Sequence, residues 1–226
     1  MTLLDTWLNN PALRIGLWPA FVETLQMVGI ASLATVLIGL PLGVILYVTQ
    51  PGGLSENRPV NVVLSAVVVN ITRSIPYAIL MVLLIPVTRV LVGTAIGPIA
   101  ASVSLSIAAI PFFARLVETA LRDVHSGKLD AAHAMGSTKM QSVTKVLIPE
   151  AMPALVASMT TTVVTIIGYS AMAGLIGGGG LGRLAYNYGY NHYQVDVMII
   201  TVVILVVLVQ LIQMLGDYVT KKVDHR

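Results

Sequence analysis

From Arg115 to Pro153 an otherwise apolar chain becomes polar, charged and repeatedly broken by turn and cap signals. A bilayer interior cannot absorb so many charges and backbone interruptions, so this island must lie in water. The rest of the chain belongs in lipid: 56% of the 226 residues are hydrophobic and 10% charged, with a mean hydropathy of +0.87. A soluble domain carries about 25% charged residues. The net charge of +3 is therefore topology-setting charge in loops, and it gives no nucleic-acid signal. A structured basic loop between membrane spans is a surface on which something soluble can dock.

A span needs about 20 apolar residues. Five are expected, over about 21–48, 74–92, 98–117, 154–176 and 197–215, with the island loop over 118–153, in one all-α polytopic membrane domain covering 1–226. Pro19 stands where a helix start tolerates proline, and Thr49 to Gly53 reads as a turn. Gly39 and Gly43 permit close helix approach, and Pro41 between them can kink the helix. The region before the second span has two readings. Either one long helix carries a polar waist at Asn70, Thr72, Arg73 and Ser74, or an interfacial helix over 60–72 precedes a span beginning near Arg73. The second places Arg73 at the membrane edge and avoids a buried charge; the first makes it face the pathway.

Five spans put the termini on opposite sides. Arg58, Arg115, Arg122, Lys128, Lys139, Lys145, Lys221, Lys222 and Arg226 then share one side, against Arg14, Arg89 and Arg183 on the other. The positive-inside rule sets the N-terminus outside, and the C-terminus and island in the cytoplasm.

Several chemistries are excluded. Without cysteine there is no disulfide, thiolate nucleophile or cysteine-ligated metal. His125, His133, His192 and His225 lack metal-ligand spacing. The run Gly177 to Gly182 matches G-x-G-x-x-G but follows a membrane span instead of a strand, and no phosphate-binding G-x-x-x-x-G-K-[ST] loop exists. The chain is not expected to hydrolyse ATP or to bind a cofactor. Glu23, Asp196 and Asp217 fall at span ends, which argues against a proton relay. The N-terminus does not read as a cleaved signal peptide. Tyr186, Tyr188, Tyr190, His192 and Tyr193 form either an interfacial aromatic belt or a contact for an external protein.

Two short helices are expected in the island. The first covers about Gly127 to Met135, with Ser126 as cap and Gly136 as the left-handed terminator. The second starts at Thr138, with Gln141 at capping-box spacing, and ends near Leu147 ahead of Pro149. Leu129, Ala132 and Met135 share a face, as do Met140, Val143 and Leu147. The cover for that apolar strip is the chain's own helices, the lipid surface or a partner subunit.

The run D-A-A-H-A-M-G from Asp130, nine residues, then V-L-I-P from Val146 resembles the EAA loop of ABC importer permeases, with Asp130, Val146 and Ile148 as conservative departures. R-S-I-P from Arg73, G-Y-S-A-M-A-G from Gly168 and the glycine- and tyrosine-rich run from Gly177 are similar to the methionine branch of that family. The resemblance implies a type I importer permease in a bacterial inner membrane, forming a homodimer with two copies of a cytoplasmic ABC ATPase, which uses ATP and Mg, and an extracytoplasmic substrate-binding lipoprotein. It implies that Lys128, Asp130, Ala131, Ala132, His133, Met135, Gly136 and Thr138 form a coupling helix and turn seated in the ATPase. Tyr169, Ser170 and Met172, with Arg73, are the expected gate or pathway residues, ordinary dimer packing being the other reading of the first three. Another small solute, such as a quaternary amine, or a stand-alone secondary transporter are the competing functions. An intramembrane enzyme lacks a catalytic constellation.

Overall fold

The computed structural model describes residues 10–224. The signal-peptide reading at the N-terminus, and His225 and Arg226, fall outside the described residues. Nine helices and no strand occur among the described residues. They are α1 (Pro11–Thr49), α2 (Arg58–Ser74), α3 (Tyr77–Leu83), α4 (Ile85–Val92), α5 (Pro98–Arg122), α6 (Ser126–Ala134), α7 (Lys139–Leu175), α8 (180–191) and α9 (Val195–Val223). Among the described residues α1, α5, α7 and α9 are long and apolar enough to cross a membrane, and α2 with α3 makes a fifth span if that broken pair counts as one.

The chain forms two compact units. The described residues of the first are 10–33, 76–108 and 163–212, and those of the second are 34–75, 109–162 and 213–224. In the first, Leu13, Ala20, Leu181, Leu184 and Val197 form a buried cluster. In the second, Tyr47, Phe113, Val117, Leu121, Leu147 and Leu155 do so.

Three local expectations are corrected by backbone chemistry. Helix α1 starts at Pro11, eight residues before Pro19. Asn10 Oδ1 accepts from Ala12 N–H at 2.9 Å, and proline at the first helical position loses no hydrogen bond. Glu23 is consequently inside a helix and not at its end. The uninterrupted span expected over 74–92 is divided. Ile75 (φ −88°, ψ 123°) and Pro76 (φ −55°, ψ 134°) are extended, as the residue before a proline prefers. Leu84 then separates α3 from α4, whose first turn contains Pro86. Helix α7, expected to break at Pro149, runs through it. A π-helical stretch over Ser142–Leu147 precedes the proline, and the wider turn relieves the clash between the ring and the carbonyl four residues back.

Candidate functional site

The island belongs to the second unit. Helix α6 is capped by His125, whose Nδ1 accepts from Gly127 N–H at 3.1 Å; Ser126, the expected cap, is the first helical residue. At the far end Gly136 has φ 81°. Its N–H donates to His133 O (2.9 Å) and Ser137 N–H donates to Ala132 O (3.1 Å), the paired bonds of a Schellman terminus. The capping box forms: Thr138 Oγ1 accepts from Gln141 N–H at 3.3 Å and Gln141 Oε1 from Thr138 N–H at 2.9 Å. Lys128 pairs with Glu150 of α7, and Lys139 Nζ donates to Ser55 Oγ at 3.4 Å.

This scaffold decides what covers the apolar strip. Leu129, Ala132, Val143 and Leu147 turn inward onto their own chain. Met135 and Met140 stay 82% and 72% exposed. Lys128, Asp130, Ala131, His133, Gly136 and Thr138 are exposed as well. Asp130 has no ion-pair partner among the described residues. The result is a rigidly terminated helix with one face anchored and the other, bearing small, charged and thioether side chains, presented outward.

The other expected residues are distributed. In the first unit Tyr169 stacks on Tyr77, with ring centroids 4.6 Å apart and planes 7° from parallel. Tyr77, the first residue of α3, also shares a 3.3 Å hydrogen bond with Ser104. Ser170 is buried, and its hydroxyl donates to Ile167 O at 2.8 Å. Met172 is exposed beside Leu175, Tyr186 and Tyr190 in an apolar hollow. Arg73 lies in the second unit. It is exposed, with its guanidinium carbon 5.7 Å from the centre of the Phe112 ring.

Two carboxylates escaped sequence reasoning. Glu23, taken as a span-end residue, accepts from Gly180 N–H at 2.6 Å and approaches Arg183 at 3.4 Å, while Thr24 Oγ1 accepts from Leu181 N–H at 2.9 Å. The glycine run therefore opens a helix held by α1, not a free turn. Glu118, one residue past the expected end of its span, is 4% exposed. Its two oxygens accept from Arg115 Nη1 and Arg122 Nη2, each at 2.6 Å. Arg115 Nη2 also donates to Ser65 Oγ (2.8 Å) and Asn70 Oδ1 (2.9 Å), and Arg122 Nη2 to Gln50 Oε1 (3.1 Å). The i+3 and i+4 spacing of Glu118 and Arg122 from Arg115 and Glu118 was the available signal.

Residues 39–225 match the family described as "Binding-protein-dependent transport system inner membrane component". The chain belongs to this family. It is 52% identical over 219 residues to the probable D-methionine transport system permease protein MetI of Vibrio cholerae, covering 97% of this chain and 95% of that one. It is 48% identical over 210 residues to the methionine import system permease protein MetP of Bacillus subtilis, with coverage of 93% and 94%. A solved structure of the MetNI methionine ABC transporter, described as inward facing, aligns over 100% of both chains with a TM-score of 0.89 and 48% identity. An amino acid ABC transporter at 20% identity shares the fold, with a TM-score of 0.77 over 98% of this chain. This member of the binding-protein-dependent family is thus a multi-pass inner-membrane transport component with the all-α importer permease fold that its sequence led us to expect.

Proposed function

We propose that this chain is the permease subunit of an ATP-driven importer for methionine, pairing with a second copy, two ATPase subunits and an extracytoplasmic binding protein. The observation that carries the reading is helix α6. It is an outward-presented helix with a Schellman terminus, in a chain that over nearly its full length is similar to proteins named for methionine transport. Met135 and Met140 offer adaptable apolar contact to a groove, Lys128 and Asp130 offer charge at its rim, and His133 a polar ring. The basic bias of the island and C-terminus puts this surface in the cytoplasm, where an ATPase works. ATP and Mg belong to that partner, and this chain supplies the path and the lever. Nucleotide biases a two-state equilibrium between inward- and outward-open permease dimers. Tyr169, Ser170, Met172 and Arg73 are the side chains assigned to the path and its gate, Ser170 being buried with its hydroxyl on Ile167 O.

The test is reconstitution. Vesicles containing this chain, its ATPase and the binding protein should accumulate radiolabelled methionine only with internal ATP, and excess unlabelled methionine should compete where a quaternary amine does not. Uphill uptake by this chain alone would remove the reading.

A further inference from the structure

Helix α2 is π-helical over Val63–Ile71, nine residues, far longer than the single-turn bulges in which this winding usually occurs. Two pairs of residues five apart make use of it. Ser65 and Asn70 accept from the same nitrogen, Arg115 Nη2. Leu64 and Val69 both join the apolar cluster with Leu46 and Ala114. In an α-helix of 3.6 residues per turn, residues five apart are turned about 140° from each other, so neither pair would share a face. Hydrogen bonding between residues five apart stacks them instead. Under α-helical winding the neighbours of Ser65 further along its own face would be Val68 and Val69, neither of which offers Arg115 an acceptor.

Arg115 is aimed from its other side. Glu118, with a side chain 5% exposed, holds Nη1 with one oxygen while Arg122 occupies the other. A guanidinium is a planar fork, so fixing one arm fixes the direction of the second. Helix α5 ends at Arg122 and α6 begins at Ser126, so force on the island reaches Arg115 within two turns of one helix.

We infer that Glu118 and Arg115 are positioning residues that hold α2 in its π-helical register, and that transport proceeds by switching this register. When Arg115 releases Ser65 or Asn70, α2 rewinds toward the α form. Each residue removed from a turn rotates everything beyond it by about 100°. Thr72, Arg73 and Ser74 are beyond it. Arg73 has no carboxylate partner among the described residues, so no ion pair resists the sweep. This inference rests on the transport reading above.

The test uses the assembled complex in membrane vesicles, with single cysteines placed in turn at 66–69 and 71–74 of this cysteine-free chain and a water-soluble maleimide. In the Ser65→Ala/Asn70→Leu background the labelling pattern beyond residue 71 should move by one position. Methionine uptake per ATP should fall at least about tenfold, the scale of a single hydrogen bond to a charged group, two of which the double variant removes. Glu118→Gln, which keeps the side-chain volume, should shift the pattern in the same sense and serves where the double variant does not assemble. An unchanged pattern in both variants overturns the register assignment even if uptake falls. A shifted pattern with normal uptake per ATP overturns the switch. A shifted pattern in a complex that imports a different solute supports the register assignment and removes only the methionine reading.

Discussion

At the residue scale, the glycines show how far composition can be read. The motif G-L-P-L-G announces small residues, and the structure says against what they are small. A Cβ built on Gly43 would lie 2.5 Å from Val117 Cβ and 2.6 Å from Ala114 O, and one on Gly39 would lie 3.0 Å from Phe113 Cδ1. Close contact of α1 with α5 in the second unit depends on these two absences. A Cβ on Gly168 meets nothing within 4 Å. Gly43→Ala should therefore destabilise the detergent-solubilised permease by about 1–3 kcal/mol, the usual scale of overpacking. Gly168→Ala should leave its thermal midpoint unchanged or raise it, since Ala is the better helix former. Equal midpoints for the two variants would show that the α1–α5 contact is looser than drawn. Sequence alone cannot separate these glycines, since both sit in apolar helices; only the partner helix distinguishes them.

At the element scale, signals that act within one turn were legible. Gly136 and the Thr138–Gln141 box stand where the spacing puts them, because their hydrogen bonds close over three to five residues. Signals that needed a partner or a change of winding were not. Pro149 reads as a stop in isolation, and the π turn that accommodates it has no local mark. The π register of α2 did leave one, polar residues at 65 and 70 in an apolar run, but a spacing of five belongs to neither the helical nor the strand template. Asn10–Pro11 was a start signal outweighed by the hydropathy that follows. The island's rigidity yields a prediction at this scale. A Cβ at Gly136 meets no neighbour within 4 Å, so the cost of Gly136→Val is chiefly that of the backbone, about 1–2 kcal/mol for a side chain held at φ 81°. Thr138→Ala loses the cap for about 1 kcal/mol. Both variants should insert in the membrane at normal yield, and Gly136→Val should retain roughly tenfold less ATPase through affinity purification, as 1.4 kcal/mol implies. Normal ATPase retention would mean that α6 is not the docking element.

At the scale of the whole chain, hydropathy and charge bias were enough to expect an all-α membrane protein, because lipid permits few other ways to satisfy a backbone. They could not show that the second expected span starts its helix only at Tyr77 and is divided again at Leu84, since a window average does not see one or two residues of changed backbone. The remaining question at this scale is which surface meets the second copy. Helix α7 gives the argument. Met172 is exposed on the same helix whose buried side carries Ile166, Ile167, Ser170 and Ala173. A flexible thioether flanked by Ala171 and Ala173 can repack between two states without a large strain. In this chain, which has no cysteine of its own, Met172→Cys gives a unique thiol. Oxidation should join two copies in the nucleotide-free complex, and trapped nucleotide should lower the yield at least about threefold if the equilibrium between states shifts by the usual coupling free energy of an effector. Equal yields in both states would place Met172 at a static packing surface. Absence of any cross-link would move the dimer contact off this face of α7 altogether, and with it the gate assigned to Tyr169 and Met172.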